Sequence, residues 1–156
     1  MRFLLLSGLL LAGLVTNCRN RPNQLAGKTA SDAVSVQRAP DAALRETRWV
    51  PRQLAGRPVA VAADTKEPYL VLRTDGTAEG NGSCNRFRGR FFSETPGELK
   101  FSQIMSTRMA CPAMGTESDF IDALGQSGTY RISGDTLRLF SAAGAAVARL
   151  EAVYLR

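Results

Sequence analysis

The stretch EGNGSCNRFRGRF, from Glu79 to Phe91, sets Cys84 among glycines, asparagines and three arginines. A thiol beside guanidinium groups in a glycine-rich turn loses its proton readily and becomes a nucleophile. The same residues also suit a tight, oxidised turn between two strands, with the arginines facing water. Histidine is absent from the chain, which removes Ser-His and Cys-His dyads and every histidine-ligated metal site. Only three cysteines exist, none in a C-x-x-C pair, and no carboxylates cluster at a metal-ligand spacing. The expectation is a protein without catalytic residues, cofactor or metal.

The address lies at the N-terminus. One arginine, Arg2, precedes an unbroken apolar and small-residue run from Phe3 to Val15. That run is shorter than the ~20 apolar residues a spanning helix needs, and it reads as the core of a secretory signal peptide. The following LVTNC has the form of a bacterial lipobox in Val15 and Thr16 but carries Asn17 where a smaller residue is usual. Residues 1–18 are therefore read as a signal peptide with a variant lipobox, and Cys18 as the lipidated mature N-terminus. Arg19 behind it, by similarity to sorted lipoproteins of two-membrane bacteria, implies the outer membrane, facing the periplasm.

Residues 19–44 are rich in alanine, serine, asparagine and proline and show neither alternation nor a helical stripe. Such a segment buries too little to offset its ordering entropy, so it reads as a flexible tether with room for a short helix around Asp41 to Arg45. Beyond it, basic and acidic residues nearly balance, and no aromatic residues interleave with the arginines in an RNA-binding pattern. No nucleic-acid partner is expected. Attraction to anionic lipid is more plausible, led by Arg19, Arg21, Lys28 and Arg38 of the tether.

From Arg48 short strands alternate with turn signals. PYLVLRTDG sets Leu70 and Leu72 on one face, with Tyr69, Val71 and Arg73 on the other, before an Asp75-Gly76 hairpin turn. Pro51 predicts an edge strand or a bulge. ELKFSQIMSTRMAC adds one or two strands, and TYRIS, TLRLF and AVARLEAVYLR complete the series around Gly134-Asp135 and SAAGA turns. One helix interrupts, in GTESDFIDALGQSG. Thr116 reads as its N-cap with Asp119 in the capping-box position, Glu117 and Asp119 complement its dipole, and Gly125 and Gly128 end it. The fold class is α+β, mainly β: a small, strongly curved antiparallel sheet or partial barrel packed with one α-helix. The expected core is Trp49, Leu70, Leu72, Phe87, Phe91, Phe101, Phe120, Leu124, Ile132, Leu137, Leu139 and Leu150.

The ordered succession TRWV, LVLRTDGTAEGNGSCNRFRGRF, LKFSQIMSTRMAC, ESDFIDAL and YRISGDTLRLF resembles the META domain of HslJ-like heat-shock lipoproteins, over about residues 45–156. Its most specific parts are the Cys84-Asn85 pair with Gly82, and the run through Thr107, Arg108 and Met109 to Cys111; Ser83 stands where glycine or methionine is common. The resemblance implies an envelope lipoprotein linked to heat induction and novobiocin tolerance. Cys84 lacks a histidine base, while an exported domain favours oxidation, so a Cys84–Cys111 disulfide is preferred over a reactive thiol. Gly80 and Gly82 then serve turn or bulge geometry, and Asn85 bonds local backbone. The function expected is a non-enzymatic envelope lipoprotein, held to the membrane by its N-terminal lipid, that supports outer-membrane integrity through a protein or lipid partner. The alternative is a carrier of a small apolar ligand within the partial barrel.

Overall fold

Among the described residues, alternating and apolar runs bounded by glycine, proline and aspartate turns become nine strands, and the stretch in which apolar spacing switches to three and four becomes a helix. The computed structural model describes residues 40–61 and 63–154, all within one compact unit bounded by Gln37 and Arg156. The elements are β1 (Arg48–Leu54), β2 (Arg57–Pro58), β3 (Tyr69–Leu72), β4 (Thr77–Asn81), β5 (Arg86–Phe92), β6 (Lys100–Ser106), α1 (Met114–Gln126), β7 (Ser127–Ser133), β8 (Thr136–Ser141) and β9 (Ala146–Val153).

One antiparallel sheet runs in the order β6-β5-β4-β3-β1-β9-β8-β7, with β2 added to β1. Its ends curl toward each other and meet at a single bridge between Glu98 and Thr129. There the Leu99 amide donates to the Gly128 carbonyl at 3.1 Å and the Tyr130 amide to the Gly97 carbonyl at 2.8 Å. The sheet is strongly curved but does not close into a continuous ladder. Pro51 lies in a central strand, and the register with β9 shifts between Pro51 and Gln53. The bulge reading of Pro51 is therefore the correct one: the ladder slips where an amide is missing.

The concave face is filled. Trp49, Leu70, Leu72, Leu99, Phe120, Leu124, Leu137, Leu139 and Leu150 have no exposed surface. Phe120 meets Phe87 edge to face with ring centroids 5.7 Å apart, which seats α1 on β5. Phe101 and Ile132 are only partly buried, at the margin of this cluster. Leu54, Leu99 and Val147, absent from the expected core, complete it.

Two sequence expectations differ from the structure. Residues 41–44 pack on the domain instead of belonging to a tether: Ala42 is buried, and the Gly134 amide donates to the Asp41 carboxylate at 2.7 Å. Residues 41–43 are extended or irregular and 44–46 form bends, with no helix. The helix begins at Met114 behind Ala113, without any side-chain cap, and runs through Gly125 to Gln126. Thr116 is inside it, and Asp119 pairs with Arg57 at 2.8 Å instead of closing a capping box.

Candidate functional site

The β4–β5 turn carries the Cys84-Asn85 pair. The Ser83 amide donates to the Asn81 side chain at 2.8 Å, the Gly82 amide donates to the Asn85 carbonyl at 2.8 Å, and Ser83 itself has φ 102. This tight reversal drives Asn85 inward, where it is 2% exposed. An asparagine buried to that degree must find partners for two donors and two lone pairs.

It finds all of them at a distance in sequence. The Asn85 carboxamide oxygen accepts from the Met109 amide at 2.8 Å and from the Thr107 hydroxyl at 3.0 Å. Its nitrogen donates to the Met109 carbonyl at 3.0 Å and to Glu117 Oε1 at 3.0 Å. The Asn85 backbone amide donates to Glu117 Oε2 at 2.6 Å, and the Ser106 hydroxyl donates to Oε1 at 3.0 Å. Glu117, 8% exposed, thus has three donors and no basic partner; bonds to a carboxylate of this kind are shorter and stronger than neutral ones.

Covalent and steric constraints act on the same knot. Cys84 and Cys111 form a disulfide across 27 positions with Cα atoms 5.9 Å apart, and Cys111 Sγ accepts from the Ala113 amide at 3.3 Å, just before α1. A Cβ on Gly82 would lie 2.6 Å from Glu117 Cγ. On Gly80 it would collide with the Tyr69 carbonyl oxygen and come within 2.7 Å of Phe87 Cζ. Both positions require glycine for close approach, not for the turn or bulge geometry expected of them.

The structure therefore brings together Gly82, Cys84, Asn85, Thr107, Met109 and Cys111. Met109 takes part through its backbone, while its side chain is 68% exposed. Arg108 stands apart: its side chain makes no hydrogen bond or ion pair among the described residues. Cys18 lies outside the described residues. Asn85 departs from expectation, since its partners lie 22 to 32 positions away and not in local backbone. Glu117, read from the sequence only as a complement to the helix dipole, and Ser106 were not among the expected site residues. The signal for Glu117 was its place three and seven residues before Phe120 and Leu124, on the buried stripe of α1.

Chemically, this knot ties three segments together. Its sulfurs are bonded to each other and its carboxylate and carboxamide are occupied. Among the described residues, no group of three or more His, Cys, Asp or Glu side chains is placed to hold a metal ion, and no helix is long and apolar enough to cross a membrane. Beside the knot a groove of about 750 Å³ opens between β6 and the start of α1, lined by Ile104, Met105, Met109 and Met114.

A family model described as the META domain matches residues 42–154. No curated protein matches the chain. Among solved structures, an NMR structure of a protein from Burkholderia xenovorans is 25% identical, with a TM-score of 0.57, covering 72% of this chain and 85% of that one. A second NMR structure is 22% identical, with a TM-score of 0.54, covering 69% and 89%, and shares the fold.

Proposed function

The chain belongs to the META domain family, and from that premise we propose that it is a non-enzymatic lipoprotein of the bacterial envelope. In this reading Cys18 carries the lipid, the outer membrane holds the anchor, and the domain supports envelope integrity and novobiocin tolerance through a protein or lipid partner. One observation carries it: the most distinctive residues of the sequence, Cys84, Asn85 and Cys111, are consumed in a disulfide and in buried hydrogen bonds. Residues spent on holding a fold point to a binding or scaffolding role. Nucleic acid is not among the proposed partners.

The test is genetic. Deletion of the gene in its host should raise novobiocin sensitivity, the wild-type gene should restore tolerance, and Cys18→Ser should not. Full rescue by Cys18→Ser protein, or unchanged sensitivity on deletion, would reject the reading. A second reading, carriage of a small apolar ligand, draws on the groove between β6 and α1, where the thioether side chains of Met105, Met109 and Met114 form an adaptable lining. Native mass spectrometry of protein extracted from its host decides it. A co-purifying lipid-sized mass supports carriage, and a bare mass rejects it.

A further inference from the structure

Strand registry places three arginines side by side. Arg131 of β7 is directly opposite Arg138 of β8, and Arg138 directly opposite Arg149 of β9. Directly paired residues on antiparallel strands share a face with Cβ atoms about 5 Å apart, and like charges so placed destabilise the sheet. Acidic neighbours compensate only one end of the row. Arg149 pairs with Glu151 at 2.9 Å, and Glu151 is shared with Arg52 at 3.0 Å. Arg131 stacks over the Phe140 ring at 5.7 Å. Arg138 has no hydrogen bond or ion pair among the described residues.

The row borders a cleft. A cavity of about 240 Å³ is lined by Arg138 and Arg149 together with Gln53, Phe140, Ala146 and Ala148. Among the described residues, the only acidic residues within the strands are Glu79 and Glu151, so the row has little carboxylate on its own sheet to neutralise it.

We infer that the row Arg131–Arg138–Arg149 and its cleft bind the phosphate of an anionic lipid head group at a bilayer surface. Guanidinium forks match phosphate oxygens, and each basic residue near an anionic surface adds a similar increment of attraction. The inference rests on the proposed envelope location for its choice of a bilayer over a free phosphate. It moves the electrostatic contact from the tether, where the sequence places it, to the sheet.

The compact unit, residues 37–156, tests this without any lipid anchor. It should co-sediment with vesicles of phosphatidylglycerol and phosphatidylcholine and stay in the supernatant with phosphatidylcholine alone. Arg131→Gln with Arg138→Gln should lower partitioning roughly tenfold or more, while Arg86→Gln with Arg88→Gln, on β5, should leave most of it. Circular dichroism melts of both variants should match the parent, since the four side chains are exposed. Equal losses in the two double variants would overturn the assignment in favour of diffuse charge attraction. Saturable binding of glycerol phosphate with no vesicle partitioning would overturn the bilayer in favour of a soluble phosphate. Palmitate labelling of the full chain is independent of both results, so failure here and failure of the lipoprotein reading are distinguishable.

Discussion

At the scale of single residues, Asn85 and Glu117 decide whether the knot is structural. Asn85→Ala removes the partners of the Met109 amide and carbonyl and of the Thr107 hydroxyl and takes one of three donors from the Glu117 carboxylate, and should cost on the order of 3 kcal/mol in urea unfolding. Gly82→Ala should also destabilise, because its new Cβ meets the Glu117 side chain, and a double-mutant cycle with Glu117→Ala should return a coupling well above the error of the singles. Additive effects would mean the two do not touch. The cysteines give a chemical readout: iodoacetamide should leave Cys84 unlabelled in the native, unreduced protein and label it after reduction. The cysteine pairing was expected from the sequence, but the hydrogen-bond knot around Asn85 was not legible from local pattern. Turn chemistry announced that Cys84 and Asn85 sit in a reversal, but the partners of Asn85 come from the end of β6 and from α1, and no periodicity links positions so far apart.

At the scale of elements, hairpins were readable and their order was not. Asp75-Gly76 and Gly134-Asp135 encode reversals within a few residues, so β3–β4 and β7–β8 follow directly from the sequence. The pairing of β1 with both β3 and β9 depends on the whole core and leaves no local trace. The start of α1 shows a related failure. Thr116 and Asp119 have the spacing of a capping box, yet the helix begins three residues earlier, behind Ala113, where the disulfide at Cys111 and the inward turn of Glu117 fix its first turn. The disulfide that ties the β4–β5 turn to this helix start should contribute about 3.5 kcal/mol in the chain-entropy model. Cys84→Ala, Cys111→Ala and the double variant should therefore lose similar amounts, and a double variant far weaker than either single would contradict a shared cross-link.

The β3–β4 hairpin adds a pH dependence. The Glu46 carboxyl is held below its ordinary value by the Arg73 guanidinium and the Thr74 amide, and Asp75 by the Thr77 amide. Carboxyls lowered by folding stabilise the native state above the ordinary carboxylate range, and that contribution disappears as pH falls through it. Glu46→Gln should consequently flatten the acid limb of the stability curve below about pH 4.5, with a modest effect because these groups face solvent. An unchanged acid limb would remove Glu46 from the account.

At the scale of the whole molecule, the proposed anchor and the fold make separable predictions. Wild-type protein should incorporate palmitate and partition into detergent, and Cys18→Ser should abolish both. Soluble, unlabelled wild-type protein would end the lipoprotein proposal without touching the structure of the domain.

The order of the strands also sets when the domain can exist. β1, near the start of the described chain, has β9, the last strand, as a neighbour through six register pairs from Arg48–Val153 to Leu54–Ala148, so the middle of the sheet is missing until the final residues have arrived. Pairings this distant in sequence close slowly, after their loop entropy has been overcome. A chain emerging from a ribosome therefore offers two incomplete half-sheets, β1–β6 and β7–β8, and no finished core. The single tryptophan, Trp49, sits on β1 between β3 and β9 with no exposed surface. Its fluorescence should report the closing step itself, and a chain ending before Ala146 should retain the emission of a solvated indole.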